Sequence, residues 1–147
     1  MAAITSIKEV GYGMGPVLLE SRALTNTATV VHSGLIQTPA NAKIARFYLD
    51  VTAVGGTTPT VDFVVQEVHP VLLDDAKVQN LGSWDGITQL TAAGYVTVTI
   101  GESATADDTA TQYSIQAPLP RQMYYKVSLD GTTADEDYTY TLYVDFK

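Results

Sequence analysis

Apolar and polar residues alternate with a period of two through most of this chain. Between Ala42 and Val54, Ala45, Phe47, Leu49 and Val51 fall on one side of an extended backbone, with Ile44, Arg46, Tyr48 and Asp50 on the other. Successive side chains of a strand point to opposite faces, so the first set reads as a core face. The alternation recurs in Val61, Phe63 and Val65 against Asp62, Val64 and Gln66, and in Val96, Val98 and Ile100 against Tyr95, Thr97 and Thr99. Further strands read at Val17–Glu20, Thr25–Val31, around Ile87–Leu90, at Thr111–Gln116, Arg121–Asp130 and Tyr138–Phe146. In the last of these Tyr138 and Tyr140 alternate with Thr139 and Thr141, so one set faces out or into a neighbour. About eight or nine strands with turns roughly every ten residues, and no convincing helix, predict an antiparallel two-sheet β-sandwich, jelly-roll-like.

Two stretches share one plan. Ala45–Val54, Gly55–Gly56–Thr57–Thr58–Pro59 and Thr60–Glu67 make a strand, a turn and a returning strand. Met123–Asp130, Gly131–Thr132–Thr133 and Tyr138–Phe146 repeat it. Both read as hairpins. Pro70 ends the first return strand, and Val71–Val78 reads as a loop. Residues 1–16 read as an extended N-terminal arm, because Gly11–Tyr12–Gly13–Met14–Gly15–Pro16 holds three glycines and a proline, which deny helix and weaken strand. The sandwich occupies 17–147 as one domain.

Composition narrows the function. The 147 residues are 46% hydrophobic but only 16% charged, well below the usual quarter. Thr, Val and Tyr suit pleated, half-buried surfaces. There is no Cys, which removes disulfides, thiolate metal sites and cysteine nucleophiles together. A net charge of −8 with eight scattered basic residues argues against a nucleic-acid partner. No stretch approaches the roughly 18 uninterrupted apolar residues of a membrane span. Met1–Val10 has neither a basic n-region nor an apolar h-region, so no signal peptide is expected, and synthesis is expected in the cytoplasm.

Candidate chemistry is sparse. His32 and His69 are the only imidazoles, each at a strand end, and no G-x-S-x-G elbow is present to serve them. Acids cluster as Asp74–Asp75, Asp107–Asp108 and Asp135–Glu136–Asp137. Glycosidase chemistry needs two carboxyls at a set separation across a cleft. Adjacent acids in Ala/Thr/Gly loops more often serve as solvated turn residues. Asp135, Glu136 and Asp137 resemble a Ca²⁺ donor set in residue type but lack EF-hand spacing. No catalytic residue, cofactor or metal site is therefore expected, and the chain reads as a non-enzyme. Trp84 in Gly82–Ser83–Trp84–Asp85–Gly86 offers either a sugar-stacking platform or, more ordinarily, an anchor of its turn against the core. Tyr12 and Met14 on the arm, and Tyr138 and Tyr140 on the last strand, are the expected interface residues, since Tyr is enriched at subunit interfaces.

The run Gly55–Gly56–Thr57–Thr58–Pro59–Thr60–Val61–Asp62–Phe63–Val64–Val65–Gln66–Glu67 resembles a pattern in small structural proteins of tailed bacteriophages. The resemblance continues through Ser83–Trp84–Asp85, through Thr91–Ala92–Ala93–Gly94 leading into an alternating strand, through Leu119–Pro120–Arg121, and through the closing Gly-Thr-Thr motif. It covers Ala42 to Lys147 and rests on turn chemistry and alternation; the residues before Ala42 lie outside it. It implies a virion component with no catalytic residues, of the capsid decoration (cement) type. Such a protein would sit on the capsid surface as a homotrimer, with the major capsid protein and itself as partners. The resemblance also fits a head–tail or tail protein. A carbohydrate-binding module built on Trp84 is the rival from another class, and a hydrolase using an acid pair such as Asp107–Asp108 a more distant one.

Overall fold

The computed structural model describes residues 7–27, 29–82, 84, 86–102, 104, 112–131 and 135–147. These form eleven strands and no helix: β1 (Ile7–Glu9), β2 (Val17–Thr27), β3 (Val30–Gln37), β4 (Ile44–Gly55), β5 (Thr60–Val68), β6 (Val78–Asn80), β7 (Ile87–Leu90), β8 (Gly94–Gly101), β9 (Gln112–Gln116), β10 (Gln122–Asp130) and β11 (Glu136–Phe146). Four antiparallel pairs are nested one inside the next: β2 with β11, β3 with β10, β4 with β8, and β5 with β7. Wrapping this ribbon brings β11 against β4 and β10 against β5. One sheet then runs β2-β11-β4-β8-β9, and the other β1-β3-β10-β5 with β6 and β7 sharing the far edge of β5. The eight nested strands are a jelly roll. Two parallel additions extend it, β1 on β3 and β9 on β8.

The alternation read from sequence sets the layers. Ala45, Phe47, Leu49 and Val51 of β4, Val61, Phe63 and Val65 of β5, and Val96, Val98 and Ile100 of β8 are all buried in one core between the sheets. Phe47 and Phe63 meet across that core, with ring centroids 6.0 Å apart. Each such side chain contributes about 1.5–3 kcal/mol through removal from water. A smaller cluster of Leu35, Val68 and Tyr124 lies apart from it, and Leu73 of the β5–β6 connection and Val78 of β6 pack against it.

Four expectations change. First, the two Gly-Thr-Thr stretches are not hairpins. β4 and β5 lie in different sheets, as do β10 and β11, so each stretch is an arch crossing from one sheet to the other. Sequence pattern specifies a turn between two strands but not whether those strands bond to each other. Second, Val17–Glu20 and Thr25–Val31 are not separate units. β2 runs unbroken through Glu20, Ser21 and Arg22, and the chain then turns into β3. Glu20 and Arg22 interrupt the apolar pattern yet stay in the ladder with β11. Third, Tyr138 and Tyr140 face inward and are each 1% exposed, so they do not form an outer face. Thr139, Thr141 and Tyr143 take the outer positions of β11.

The fourth change concerns the arm, whose described residues fold onto their own chain. β1 pairs with β3, Val10 joins the core, and the Gly13 amide donates to the Phe146 carbonyl at 3.1 Å. Residues 1–6 of the arm, Thr132 and Thr133 of the second arch, and Asp107–Asp108 lie outside the described residues.

Candidate functional site

The densest set of ionisable groups sits between the sheets at the edge where β2 and β3 run. Glu20 and Arg22 enter from β2, Tyr140 from β11, and His32 and Tyr125 from β3 and β10. The Tyr125 hydroxyl donates to Glu20 Oε1 at 2.8 Å, and Arg22 Nε donates to Glu20 Oε2 at 2.8 Å. Gly34 makes room for this reach, since a β-carbon there would lie 2.6 Å from the Tyr125 hydroxyl oxygen. Burial, then the hydrogen bond to Glu20, pushes the Tyr125 phenol far above its ordinary value. Burial, then the Glu20 charge, pushes Tyr140 up to about 12, with Arg22 opposing. Burial lowers His32, Arg22 lowers it further, and Glu20 opposes both. Both oxygens of the one carboxylate are thus engaged and both phenols are held protonated. The cluster is a strut between sheets, and its inward charges also blunt the edge strand β2 against pairing with another chain.

The arches form a second polar set. Thr57 Oγ1 donates to Asp135 Oδ2 at 2.8 Å. The Thr58 amide and hydroxyl donate to Glu136 Oε1 at 3.4 and 3.3 Å. Tyr138 donates to the Asp130 carbonyl at 2.6 Å, and the Asn26 amide to Asp137 Oδ1 at 3.0 Å. Asp135 and Glu136 therefore take donors from the first arch, and Asp137 from the end of β2. Among the described residues no group of three or more His, Cys, Asp or Glu is arranged to hold a metal ion. Asp74 Oδ1 accepts from the Ala76 amide, as a turn residue does, and His69 Nδ1 accepts from the amides of Val71 and Leu72.

The outer face of the five-stranded sheet is different in kind. A cleft of about 390 Å³ there is lined by Pro16, Tyr48, Asp50, Tyr95 and Tyr143. Register explains the gathering: Tyr143 pairs with Tyr48, and Asp50 with Tyr95. The Tyr48 and Tyr95 rings lie 6.3 Å apart between centroids and 22° from parallel. Burial, then the Tyr48 and Asp50 neighbours, raises the Tyr95 phenol, with Arg46 opposing. Arg46 Nε donates to Thr99 Oγ1 at 3.1 Å. Beyond Pro16, the 11–16 turn holds Tyr12 at 50% and Met14 at 75% exposure, with Leu18 following at 44%.

Of the expected interface residues, then, Tyr12 and Met14 are at the surface and Tyr138 and Tyr140 are in the core. Trp84 packs edge-on against Phe63 at 6.3 Å and is partly buried, as an anchor of its turn. Sequence reading placed Tyr48, Asp50 and Tyr95 on outer faces but did not bring them together, because the pairing of β4 with β8 spans a long separation. Glu20 and Arg22 were missed outright; their spacing of two inside a strand was the available signal.

No protein-family model matches this chain, and no curated protein matches it. Among solved structures, 99% of the chain aligns with all of CorA, a surface-associated copper-binding protein of Methylomicrobium album BG8, at 8% identity and a TM-score of 0.37. So distant a likeness carries no functional argument.

Proposed function

We propose that this chain is a non-enzymatic structural protein of a tailed-phage virion, decorating the capsid as a homotrimer and stabilising it. The observation that carries the reading is the 11–16 turn. It is tied to the body by the bond from Gly13 to Phe146, yet it holds Met14 and Tyr12 out in solvent. An anchored apolar projection loses little conformational freedom on docking, which suits a contact repeated over many copies. The resemblance of Ala42–Lys147 to phage structural proteins supplies the assembly, with the major capsid protein as partner. Closed rotational symmetry lets one small contact recur identically around an axis.

Co-sedimentation of the purified protein with capsid shells lacking it, followed by electron microscopy, tests the reading. Saturable binding at three-fold positions, weakened by Tyr12→Ser with Met14→Ser, is expected. Binding to tail tubes instead of heads moves the protein to the tail, and a monomer that binds neither overturns the reading.

A further inference from the structure

We propose that the cleft formed by Pro16, Tyr48, Asp50, Tyr95 and Tyr143 is a binding site for a neutral pyranose saccharide. A pyranose ring has an apolar C–H face and a rim of hydroxyls. It is held by a flat aromatic surface beside a hydrogen-bonding group that accepts from hydroxyls, and the cleft supplies both. The Tyr48 and Tyr95 rings are stacked, 22° from parallel, rather than crossing edge to face. Tyr95 is half exposed, leaving its ring open to a ligand. Asp50 stands opposite Tyr95 in the ladder, half-buried, and its carboxylate accepts no hydrogen bond from the described residues. A carboxylate is an acceptor only, with room for several donors, and vicinal sugar hydroxyls are such donors. The phenol hydroxyls add groups that both donate and accept.

The backbone disfavours the obvious competitor. β11 lies between β2 and β4, β4 between β11 and β8, and β8 between β4 and β9. Along the cleft β11 and β4 are laddered on both sides and β8 is laddered to β4, its pairing with β9 starting only at Thr97, so an extended peptide would find no main-chain partners on β11 or β4. On those two strands recognition comes from side chains alone. A volume of about 390 Å³ falls within the range of small-ligand sites. Asp50, on a chain of net charge −8, disfavours sialylated or phosphorylated glycans and leaves neutral ones. The site is built from one copy's residues and does not rest on the virion reading.

The test is titration of isotope-labelled protein with maltohexaose, cellohexaose, chitotetraose and mannotriose, with sialyllactose as the acidic control, followed by nuclear magnetic resonance. Saturable shifts at Tyr48, Asp50, Tyr95 and Tyr143 with a neutral sugar are expected, with no response to sialyllactose. Tyr95→Ala and Asp50→Asn, at solvent-accessible positions and checked for fold by circular dichroism, should each weaken binding by about tenfold or more. The site is overturned by silence towards all four neutral sugars at millimolar concentration, or by binding that survives both substitutions. Shifts centred on Trp84 overturn it too. So do concentration-dependent shifts at the cleft without sugar, which would assign the face to a second copy of the chain.

Discussion

The Tyr125 hydroxyl donates a 2.8 Å hydrogen bond to Glu20 Oε1 across the gap between the two sheets, tying β10 to β2. Both residues are buried, at 5% and 9% exposure. Tyr125→Phe keeps the ring and removes the donor, leaving a buried carboxylate oxygen without it. A loss of about 1–3 kcal/mol is expected. Denaturant unfolding checks this as a lower midpoint at an unchanged slope, and an unchanged midpoint would show that the bond contributes nothing.

Alkaline pH should unfold the protein by way of the same strut. Tyr125 and Tyr140 titrate above the ordinary tyrosine value of 10.0, Tyr140 near 12. The unfolded chain therefore loses these protons first. The stability they confer is complete below pH 10 and falls as pH rises towards 12, by about 1.4 kcal/mol per unit for each phenol. Phenolate absorbance followed beside circular dichroism should show these two tyrosines ionising only with loss of structure. Ionisation of all nine tyrosines in a still-folded protein contradicts the arrangement.

Gly56 and Gly13 should respond very differently to Ala. Gly56 has φ +111°, and a β-carbon there would lie 2.7 Å from Glu136 Cα and 2.9 Å from the Asp135 carbonyl oxygen. Neither backbone atom can move without parting the two arches, so Gly56→Ala should cost about 3 kcal/mol or more. Gly13, at φ +69° with nothing within 4 Å, carries only the left-handed penalty. About 1 kcal/mol is expected there. Equal effects on melting temperature would refute the close packing of the arches.

Trp84→Ala should cost about 2–3 kcal/mol, because the indole packs edge-on against Phe63 of the core. It should leave saccharide binding untouched. Thermal melts and the sugar titration, run on the same variant, separate the two effects.

Much of the fold was legible because alternation is a local property. Phe47, Leu49, Val96 and Val98 declare their face within a few residues, and the strand count and sandwich class follow. The sheet partners of each strand were not legible, because β2 meets β11 across more than a hundred residues and no local pattern encodes that. This is why the Gly-Thr-Thr stretches looked like hairpins and Tyr138 and Tyr140 like an outer face. The phase of β11 is set by its neighbours: a bulge opposite β4 falls between Thr139 and Tyr140. The same limit hid the strut, since Glu20 and Tyr125 come together only when both sheets are in place. The exposure of Tyr12 and Met14 was legible because a Gly-rich turn leaves its large side chains little to pack against.

The nested pairing also sets an order in time. β11 is the sole antiparallel neighbour of β2 among the described strands, and β10 that of β3. As the chain leaves the ribosome, β4, β5, β7 and β8 can pair among themselves while β2 waits for residues 136–144 to emerge. A strand that waits unpaired is a hazard, because it can join a neighbouring nascent chain instead. Glu20, Ser21 and Arg22 keep the middle of β2 hydrophilic during that interval. The charges that later lock the sheets together thus first act as a solubility guard on a strand whose partner has not yet been made.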